Sequence, residues 1–288
     1  MGSCKGADRG GVSARQTTVA SDVCLAGVGL FSGTASRVAI RPAAPDTGVV
    51  FLAGGVRIAA AAGNVADTSR CTLLASAGVA VSTVEHLLSA LAGLGVDNAL
   101  IEVDGEEIPI LDGSAAPWAE AVAEAGVVPQ QAPARELALR APVVCADRDA
   151  WLVASPSPSL SMTCVAAYDH ALLGTTAAVF DGSPKCYRSG VAPARTYGLE
   201  EEVRPLAEAG VFRGGSLENA LVVYQDRFSS PLRLPEEWTR HKLLDLIGDL
   251  SLAGGRLSAS ITAIRSGHRA NTRFAAMLAA AAVRQPAD

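Results

Sequence analysis

The sequence predicts an α+β protein whose two halves share one succession of strands and helices. Short alternating apolar runs broken by glycines, such as VCLAGVGLFSG and ASRVAIRP, are typical of antiparallel strands joined by tight turns. Two segments with helical apolar spacing, 82–94 and 237–252, are each followed by glycine and a strand-like run. The length of 288 residues also suits two domains, because a typical domain has about 150 residues.

The N-terminal stretch 1–15 is rich in glycine and serine and has no apolar period. We predict that it is a disordered tail without a function of its own. Its opening MGSCKG has the Gly2 of a myristoylation site, but Gly6 stands where that motif has serine or threonine. Lipidation of this end is therefore not expected.

The first helical segment is STVEHLLSALAGL, residues 82–94. Four apolar residues fall on one stripe at helical spacing: Val84, Leu87, Leu88 and Leu91. Ser82 or Thr83 can cap the start of this helix, and Gly95 can end it. The following VDNALIEVDG alternates like a strand, and WAEAVAEAG predicts a second helix.

The segment PQQAPA, residues 129–134, marks the predicted boundary between two domains. Two prolines flanking paired glutamines supply neither a helix nor a strand, so we interpret the segment as a linker. An N-terminal α+β domain then covers 16–130, and a C-terminal α+β domain covers 135–288. In the second domain, LALRAPVVCA, AWLVASPS and LSMTCVAAY predict strands, while LEEEVRPLAEAG and EEWTRHKLLDLIGDLSLAG predict helices.

The composition narrows the class of partner. A net charge of -5 without a long lysine or arginine run argues against affinity for nucleic acid or for an anionic membrane. No apolar stretch approaches the about 20 residues that span a bilayer, and the start of the chain lacks the apolar region of a secretory signal. We therefore predict a cytoplasmic protein with a small-molecule partner and no stable membrane insertion. The six cysteines show no CxxC pairing, which favours free, mostly buried thiols.

Only four histidines occur, so their placement is informative. His241 and Asp245 are four residues apart in a helical segment, so both project from one face and can hold one metal ion. An ordinary hydrogen-bonded pair is the alternative, and it is the more common interpretation of an isolated HxxxD. His86 directly follows Glu85, and helix neighbours point about 100° apart, so one can bind metal while the other addresses a water. A solvated glutamate beside a histidine is the alternative there, and His170 is interpreted as structural or peripheral.

His268 lies in RSGHRAN at the predicted start of the last helix, where Gly267 lets the backbone approach a ligand. A helix N-terminus lowers the pKa of a histidine unless a carboxylate offsets the effect, and Asp249 is a candidate for that carboxylate. Two imidazoles and one carboxylate leave one position of a tetrahedral zinc for water, which is common in catalytic sites, whereas structural sites usually have four ligands. The inventory favours a catalytic metal.

Three long motifs resemble one known family: TVEHLLSALAGLGVDNALIEVDGEEIPILDGSA, RHKLLDLIGDL and SGHRAN. They are similar to the UDP-3-O-acyl-N-acetylglucosamine deacetylases of lipid A biosynthesis, in the same order from about Thr17 to Ala280. The resemblance implies two domains of similar architecture, each a β-sheet packed against a pair of helices, with the active site between the helix layers. It also favours the catalytic interpretation of the histidines over the alternatives above.

For the reaction centre, the resemblance implies three metal ligands and a set of proton-transfer residues. The ligands of Zn²⁺ are His86, His241 and Asp245. The proton-transfer residues are Glu85 as the general base and His268 as the cationic or acid partner, with Asp249 beside it. The expected reaction removes the N-acetyl group from UDP-3-O-(3-hydroxyacyl)-N-acetylglucosamine as acetate, which is the committed step of lipid A biosynthesis.

For substrate binding, the resemblance implies that Lys242 contacts the substrate and that Thr196 of ARTYG stabilises the oxyanion. The family's βαβ insert, which lines an acyl-chain passage, corresponds to about 196–223. Candidate lining residues within it are Leu199, Phe212 and Leu217. One departure is Phe31 in GVGLFSG, where the family usually has histidine. That departure bears on nucleotide or diphosphate binding rather than on the metal and proton-transfer residues.

The predicted partner is the UDP-sugar substrate, and the predicted oligomeric state is a monomer. Two other classes of protein stay open on the residues alone. A metal-free nucleotide-sugar or acyl-chain binding protein would contain no zinc, and a structural zinc module would hold zinc without exchangeable water or hydrolysis. Metal analysis paired with an acetate-release assay separates the three classes.

Overall fold

The computed structural model describes residues 14–283, which form eighteen strands, six α-helices and one short 3₁₀ helix, Ala62–Asn64. The strands are β1 (Arg15–Val19), β2 (Val23–Val28), β3 (Ala35–Pro42), β4 (Val49–Ala53), β5 (Val56–Ala59), β6 (Val65–Asp67), β7 (Leu73–Ser76), β8 (Val79–Val81), β9 (Ala99–Asp104), β10 (Val127–Pro133), β11 (Glu136–Ala138), β12 (Val143–Asp147), β13 (Ala150–Pro156), β14 (Ser161–Ala167), β15 (Thr175–Phe180), β16 (Tyr197–Leu199), β17 (Leu221–Val223) and β18 (Arg256–Ile264). The helices are α1 (Glu85–Gly93), α2 (Ala116–Ala125), α3 (Pro184–Gly190), α4 (Glu200–Glu208), α5 (Glu237–Ser251) and α6 (His268–Ala281). The predicted α+β class is confirmed.

The two main sheets have the same topology. In the first, the strand order is β2-β3-β9-β4-β5, and in the second it is β12-β13-β18-β14-β15, with β11 also pairing with β18. The central strand of each sheet, β9 or β18, runs antiparallel to one neighbour and parallel to the other, at equivalent positions. Each central strand follows α1 or α5 after a glycine turn. The repeat of helix, glycine and strand in the sequence is therefore a repeat of topology.

Helices α1 and α5 pack against each other and so bring the two repeats together. Helix α2 packs against α1, while α6 packs against α5 and contacts β12 and β13. Buried apolar side chains from both repeats, among them Ile40, Leu88, Leu243 and Ile261, belong to one hydrophobic cluster. The burial of this shared apolar surface stabilises the contact between the repeats. A boundary between two domains near residue 130 stays a prediction.

Two glycines allow the helices to approach closely. A Cβ at Gly248 of α5 would lie 2.1 Å from the carbonyl oxygen of Glu85 on α1. A Cβ at Gly93, the last residue of α1, would lie 2.3 Å from the ring of Tyr187 in α3. Because neither contact leaves room for a side chain, glycine is required at both positions.

The prediction that 129–134 forms neither a helix nor a strand is wrong. This segment lies largely in β10, which pairs antiparallel with β1. A two-stranded ribbon tolerates prolines because not every N–H in it needs a ladder partner. The side chain of Gln130 adds a bond to the carbonyl of Ala43 at 2.7 Å and accepts one from Asn98 at 2.7 Å. These contacts hold the segment as a strand despite its composition.

Two predicted boundaries are wrong: the end of the N-terminal tail and the residue that caps α1. Strand β1 begins at Arg15, inside the predicted tail 1–15, and residues 1–13, with Gly2, Cys4 and Gly6, lie outside the described residues. Neither Ser82 nor Thr83 caps α1, because Val84 is the N-cap residue and makes no side-chain cap bond. Thr83 has a φ of 60°, and its hydroxyl donates instead to Glu107 at 3.2 Å. A β-branched residue with positive φ is strained, and here it directly precedes the turn that carries Glu85.

The segment 196–223 contains β16, α4 and β17, and its two strands pair in parallel.

The five cysteines within residues 14–283 are all free, and Cys145 and Cys164 are buried. Across the same residues, every helix is too short or too polar to cross a bilayer.

Candidate active site

A pocket lies where α1 and α5 meet, and most of the predicted site residues line it. They are Glu85, His86, Thr196, His241, Lys242, Asp245 and His268. Leu30, Phe31 and Ile110 form an apolar part of the wall, and Arg70 adds a basic group. The pocket therefore combines metal-ligating, titratable and apolar side chains, as binding sites for small molecules commonly do.

Three buried side chains form a cluster that can hold a metal ion. His86 lies on α1, and His241 and Asp245 lie one turn apart on α5. One ligand atom from each residue falls within 4.8 Å of the other two. Oδ1 of Asp245 is 3.4 Å from Nε2 of His241 and 3.8 Å from Nε2 of His86. That oxygen is buried and receives no hydrogen bond from residues 14–283, so a cation is its expected partner.

Both histidines of the cluster are neutral, as metal ligands must be. Burial lowers the pKa of His86 to about 3, and burial also lowers the pKa of His241. The Nδ1–H of His241 donates to the carbonyl oxygen of Ala194 at 3.0 Å. This bond fixes the ring and leaves the Nε2 lone pair facing Asp245, which is the arrangement that orients a metal-binding imidazole.

Lys242 lies beside the metal-ligand cluster. Its Nζ is 3.6 Å from Oδ2 of Asp245 and 5.9 Å from the ring centre of Tyr197. Burial acts to lower the pKa of Lys242, but the negative charge of Asp245 and the other acidic groups nearby together outweigh burial and raise it. Burial acts to raise the pKa of Asp245, but the neighbouring basic groups His241, His268 and Lys242 lower it to about 2. An ammonium and a carboxylate therefore face each other at this side of the pocket.

Glu85 and His268 lie next to each other, and a hydrogen-bond network holds both. Nε2 of His268 is 3.9 Å from Oε1 of Glu85, and its Nδ1–H donates to Oδ2 of Asp249 at 3.0 Å. The backbone N–H of Thr72 donates to Oε2 of Glu85 at 3.0 Å. The Thr72 hydroxyl donates to Oδ1 of Asp249 at 2.6 Å, and the Asn271 amide donates to Oδ2 at 2.9 Å. Thr72 thus links the two carboxylates.

The pKa values of these two groups suit proton transfer in opposite directions. Burial raises the pKa of Glu85 to about 7, because the charged form loses solvation. Burial acts to lower the pKa of His268, but the charge and hydrogen bond of Asp249, together with the charges of Glu85 and Asp245, outweigh burial and raise the pKa to about 10. At neutral pH His268 is cationic and Glu85 is near its midpoint, so one can donate a proton and the other can accept one.

Thr196 is bonded to both halves of the chain. Its N–H donates to the carbonyl of Gly113 at 2.7 Å, and its carbonyl accepts from the N–H of Leu221 at 2.8 Å. Gly113 has a φ of 83°, and a Cβ there would lie 1.8 Å from the carbonyl oxygen of Asn219. These contacts fix the backbone from which the Thr196 side chain reaches the pocket.

The predicted acyl-passage residues lie apart from the pocket wall. Leu199 packs on an apolar cluster that includes Val223, and Leu217 is 56% exposed. The ring of Phe212 lies 5.6 Å, centre to centre, from the ring of Phe31, which lines the pocket. The structure thus connects Phe212 to the pocket through Phe31, and it brings neither Leu199 nor Leu217 into it.

Sequence reasoning missed three residues of the site: Thr72, Asn271 and Tyr197. Asn271 is three residues after His268 on α6, and this spacing, which places two side chains on one helix face, was a usable signal. Tyr197 directly follows a predicted site residue and lines the pocket, with its hydroxyl bonded to that of Tyr168. Thr72 gave no such signal, because its partner Asp249 is 177 residues away.

Comparison with known proteins gives one consistent result. Residues 16–280 match the family model described as LpxC: UDP-3-O-acyl N-acetylglycosamine deacetylase. A UDP-3-O-acyl-N-acetylglucosamine deacetylase of Myxococcus xanthus is 42% identical over 268 residues, covering 91% of this chain and 85% of the relative. Proteins of the same name from Phenylobacterium zucineum and Thermosynechococcus vestitus are each 41% identical over 273 residues. These alignments cover 92% and 93% of this chain and 93% and 95% of the relatives, respectively.

Proposed function

The chain belongs to the LpxC family of UDP-3-O-acyl N-acetylglycosamine deacetylases, and from this premise we propose that His86, His241 and Asp245 hold a catalytic Zn²⁺ ion. The reaction is the hydrolysis of an amide. The N-acetyl group of UDP-3-O-acyl-N-acetylglucosamine is removed as acetate and a free amine remains, a step of lipid A biosynthesis.

The donor set supports zinc as the metal. Bonds of about 2.0–2.1 Å and tetrahedral angles set two zinc ligands about 3.3 Å apart. The separations of 3.4 Å and 3.8 Å between the imidazole nitrogens and Oδ1 of Asp245 are near that value. Three protein ligands leave one tetrahedral position for a further ligand. When bound, the ion supplies Lewis acidity to the acetyl oxygen and to the attacking water.

Glu85 accepts the proton of the attacking water. The N–H of Thr72 occupies Oε2 of Glu85, while Oε1 is the oxygen nearer to His268. A carboxylate with a pKa near 7 is a stronger base than an ordinary glutamate and is still substantially ionised at neutral pH. Its position on α1, next to the metal ligand His86, supports this role.

His268 donates a proton to the departing amine, because an amine leaves an amide readily only when it is protonated. Its Nδ1–H is bonded to Asp249, which is fully buried, so the Nε2–H is the one available to the substrate. The negative charge of Asp249 keeps the imidazole cationic at neutral pH. Asp249 therefore sets both the orientation and the charge of His268.

Thr196 and Lys242 act on the substrate itself. The hydroxyl of Thr196 donates to the acetyl oxygen as negative charge develops on it. The ammonium of Lys242 binds oxygens of the sugar or its phosphates. The acyl chain is accommodated along the insert by Leu199, Phe212 and Leu217, and the contact of Phe212 with Phe31 at the pocket supports this for Phe212.

One observation carries the proposal: Oδ1 of Asp245 is buried, accepts no hydrogen bond from the described residues 14–283, and lies in the same pocket as the adjacent Glu85 and His268. A structural zinc site would have four protein ligands. In a metal-free binding pocket, the burial of Asp245 Oδ1 would cost solvation free energy that no hydrogen bond or cation offsets. A cytoplasmic location completes the proposal, because UDP-sugars are made from cytoplasmic nucleotides, and we further propose that the protein is a monomer.

The test is a metal-stripping experiment. The purified protein is treated with a chelator, reloaded with Zn²⁺, and assayed for acetate release from UDP-3-O-acyl-N-acetylglucosamine. We expect about one zinc per chain and activity that returns only on reloading. Binding of the substrate by calorimetry without any acetate release, with or without zinc, would instead support the binding-protein alternative.

A further inference from the structure

Three consecutive residues before β16 connect the beginning of α5 with the pocket. The carbonyl oxygen of Ala194 accepts the Nδ1–H of His241 at 3.0 Å. The side chain of Thr196 lines the pocket. The residue between them, Arg195, binds Glu237, the first residue of α5. One short strip of chain therefore contacts a metal ligand, the helix that carries it and the proposed oxyanion site.

Arg195 and Glu237 form a closed, buried ion pair. Glu237 is fully buried and Arg195 is 5% exposed. The Nε and Nη2 of Arg195 donate to the two carboxylate oxygens at 2.8 and 3.2 Å. The backbone N–H groups of Arg195 and Arg233 donate to the same oxygens at 3.0 and 2.8 Å. The Nη1 of Arg195 donates to Ser230 Oγ at 2.7 Å, and Nη2 also donates to the Pro231 carbonyl at 2.9 Å.

This arrangement fixes geometry more than it adds stability. A buried ion pair commonly contributes no more net stability than apolar residues of the same size would, because both charges lose their solvation. The planar guanidinium of an arginine, which binds a carboxylate through two N–H groups, does hold the two side chains in a defined orientation. Glu237 lies one helical turn before His241 on α5, and a helical turn is rigid. Holding Glu237 on Arg195 therefore also holds the His241 ring against the Ala194 carbonyl.

We propose that Arg195 and Glu237 are positioning residues, which hold the His241 ring in the orientation that binds the metal and hold Thr196 beside it. Arg195 and Glu237 are not among the described residues that line the pocket, and both act through the backbone of the strip 194–196 and the first turn of α5. The inference rests on the proposed function, because that function makes His241 a metal ligand and Thr196 the oxyanion donor.

The experiment compares Glu237→Gln, which removes the charge at nearly constant size, with Arg195→Lys, which keeps the charge and loses the fork. Asp97→Asn is the control, because it breaks the Arg256 to Asp97 ion pair, with Nε to Oδ1 at 2.8 Å, away from the pocket. For each protein we measure melting temperature, the rate at which a chelator removes Zn²⁺, the absorption spectrum of the Co²⁺-loaded form, kcat and KM.

We expect Glu237→Gln to lose Zn²⁺ about 10- to 100-fold faster than wild type and to lower kcat by a similar factor with little change in KM. Its Co²⁺ spectrum shifts because the ligand geometry changes. Arg195→Lys shows the same effects more weakly. Asp97→Asn lowers the melting temperature but leaves zinc release, the spectrum and kcat as in wild type.

Zinc release and a Co²⁺ spectrum like those of wild type in Glu237→Gln, with only a lowered melting temperature, would assign the pair a purely structural role and overturn the proposal. If Glu237→Gln does not fold, Arg195→Lys decides by the same measurements. The same zinc loss in Asp97→Asn would also overturn it. Should the wild type bind zinc but hydrolyse nothing, the proposed function fails, while the zinc-release comparison still decides the role of Arg195 and Glu237.

Discussion

Gly248 of α5 lies directly against the backbone of Glu85 on α1, so that a Cβ at residue 248 would be 2.1 Å from the Glu85 carbonyl oxygen. Gly248 stands three residues after Asp245 and one before Asp249. This close approach of the two helices therefore falls at the proposed reaction centre. This contact sets how near the proposed base on α1 lies to the groups on α5.

Gly248→Ala should destabilise the protein by about 1–3 kcal/mol, because the methyl group overpacks a contact made by backbone. Alanine otherwise stabilises a helix by about 1 kcal/mol relative to glycine, so the sign of the change is itself diagnostic. We also expect lower kcat, since α1 must move away from α5. Urea denaturation and acetate release measure the two effects. Gly63→Ala is the control, because a Cβ there meets no heavy atom within 4 Å. A Gly248→Ala variant as stable as wild type would contradict the tight contact.

His241→Ala should lose most of its zinc together with its activity, because two remaining protein ligands cannot hold the ion tightly. Elemental analysis after dialysis gives the zinc content per chain, and acetate release gives the activity. His170→Ala is the matched control, since His170 accepts a hydrogen bond from the Leu172 N–H outside the pocket. Retention of the full zinc content by His241→Ala would remove His241 from the ligand set.

The pH profile of kcat/KM should be bell-shaped. Glu85 must be ionised to accept a proton, so the rate rises with pH through its pKa of about 7. His268 must be protonated to donate, so the rate falls as pH rises towards its pKa of about 10. A bound cation favours the unprotonated form of each group, so both limbs lie at or below these values in the zinc-loaded enzyme. The apparent pKa values belong to the coupled assembly. A rate that rises without a maximum up to pH 10 would contradict the acid role.

Each limb of the profile should disappear with its own residue. Glu85→Gln is expected to flatten the acidic limb and His268→Gln the basic limb, each with a loss in rate of about 100-fold or more. Both variants should keep their zinc, because neither side chain is a ligand, and metal analysis in parallel checks this. An unchanged basic limb in His268→Gln would assign that limb to another group.

Lys242→Ala should weaken substrate binding and leave the metal content unchanged. Its ammonium is 3.6 Å from Oδ2 of Asp245, on the side away from the Oδ1 that faces the histidines. We expect a higher KM for the UDP-sugar and wild-type zinc by elemental analysis. Lys185→Ala, at an exposed position of α3, serves as the control and should change neither quantity. Loss of zinc in Lys242→Ala would instead give the lysine a role in holding the metal ligands.

Leu217→Trp should reduce the turnover of long-chain substrates more than that of short-chain ones if the insert forms the acyl passage. The measurement is kcat/KM for a series of acyl lengths. Val144→Trp is the control, because Val144 is 50% exposed on β12 and stands outside the insert. Equal losses at every chain length, or none, would exclude Leu217 from the passage.

The local pattern of the sequence was enough for the elements that carry the site. The apolar stripe around Glu85 and His86 predicted α1, and the spacing of His241 and Asp245 placed both on one face of α5, where they lie within reach of one ion. The recurring unit of helix, glycine and strand indicated that the two halves share an architecture, and the two main sheets have the same strand order. These features depend on contacts between residues close in sequence or on periodicity, which a sequence displays directly.

Features that depend on distant partners could not be predicted from pattern. The segment after Pro129 forms a strand because β1, more than 100 residues earlier, pairs with it (Arg15↔Pro133). The hydroxyl of Thr72 belongs to the site because it donates to Asp249, and no residue close to Thr72 in the sequence indicates that hydrogen bond. Leu217 was assigned to the passage through its place in the insert, and its exposure is set by packing that the sequence does not reveal.

The bond from Thr72 to Asp249 joins residues that are 177 positions apart in the chain, and His268 follows still later at the start of α6. During translation, Thr72, Glu85 and His86 are synthesised long before α5 and α6, which carry the residues that they contact. A nascent chain therefore carries the first of the proposed ligands and the proposed base without the other residues of the site. Hydrolysis requires that translation has passed α6 and that α1 has docked on α5, so the appearance of activity marks the synthesis of α6 and the docking of these two helices.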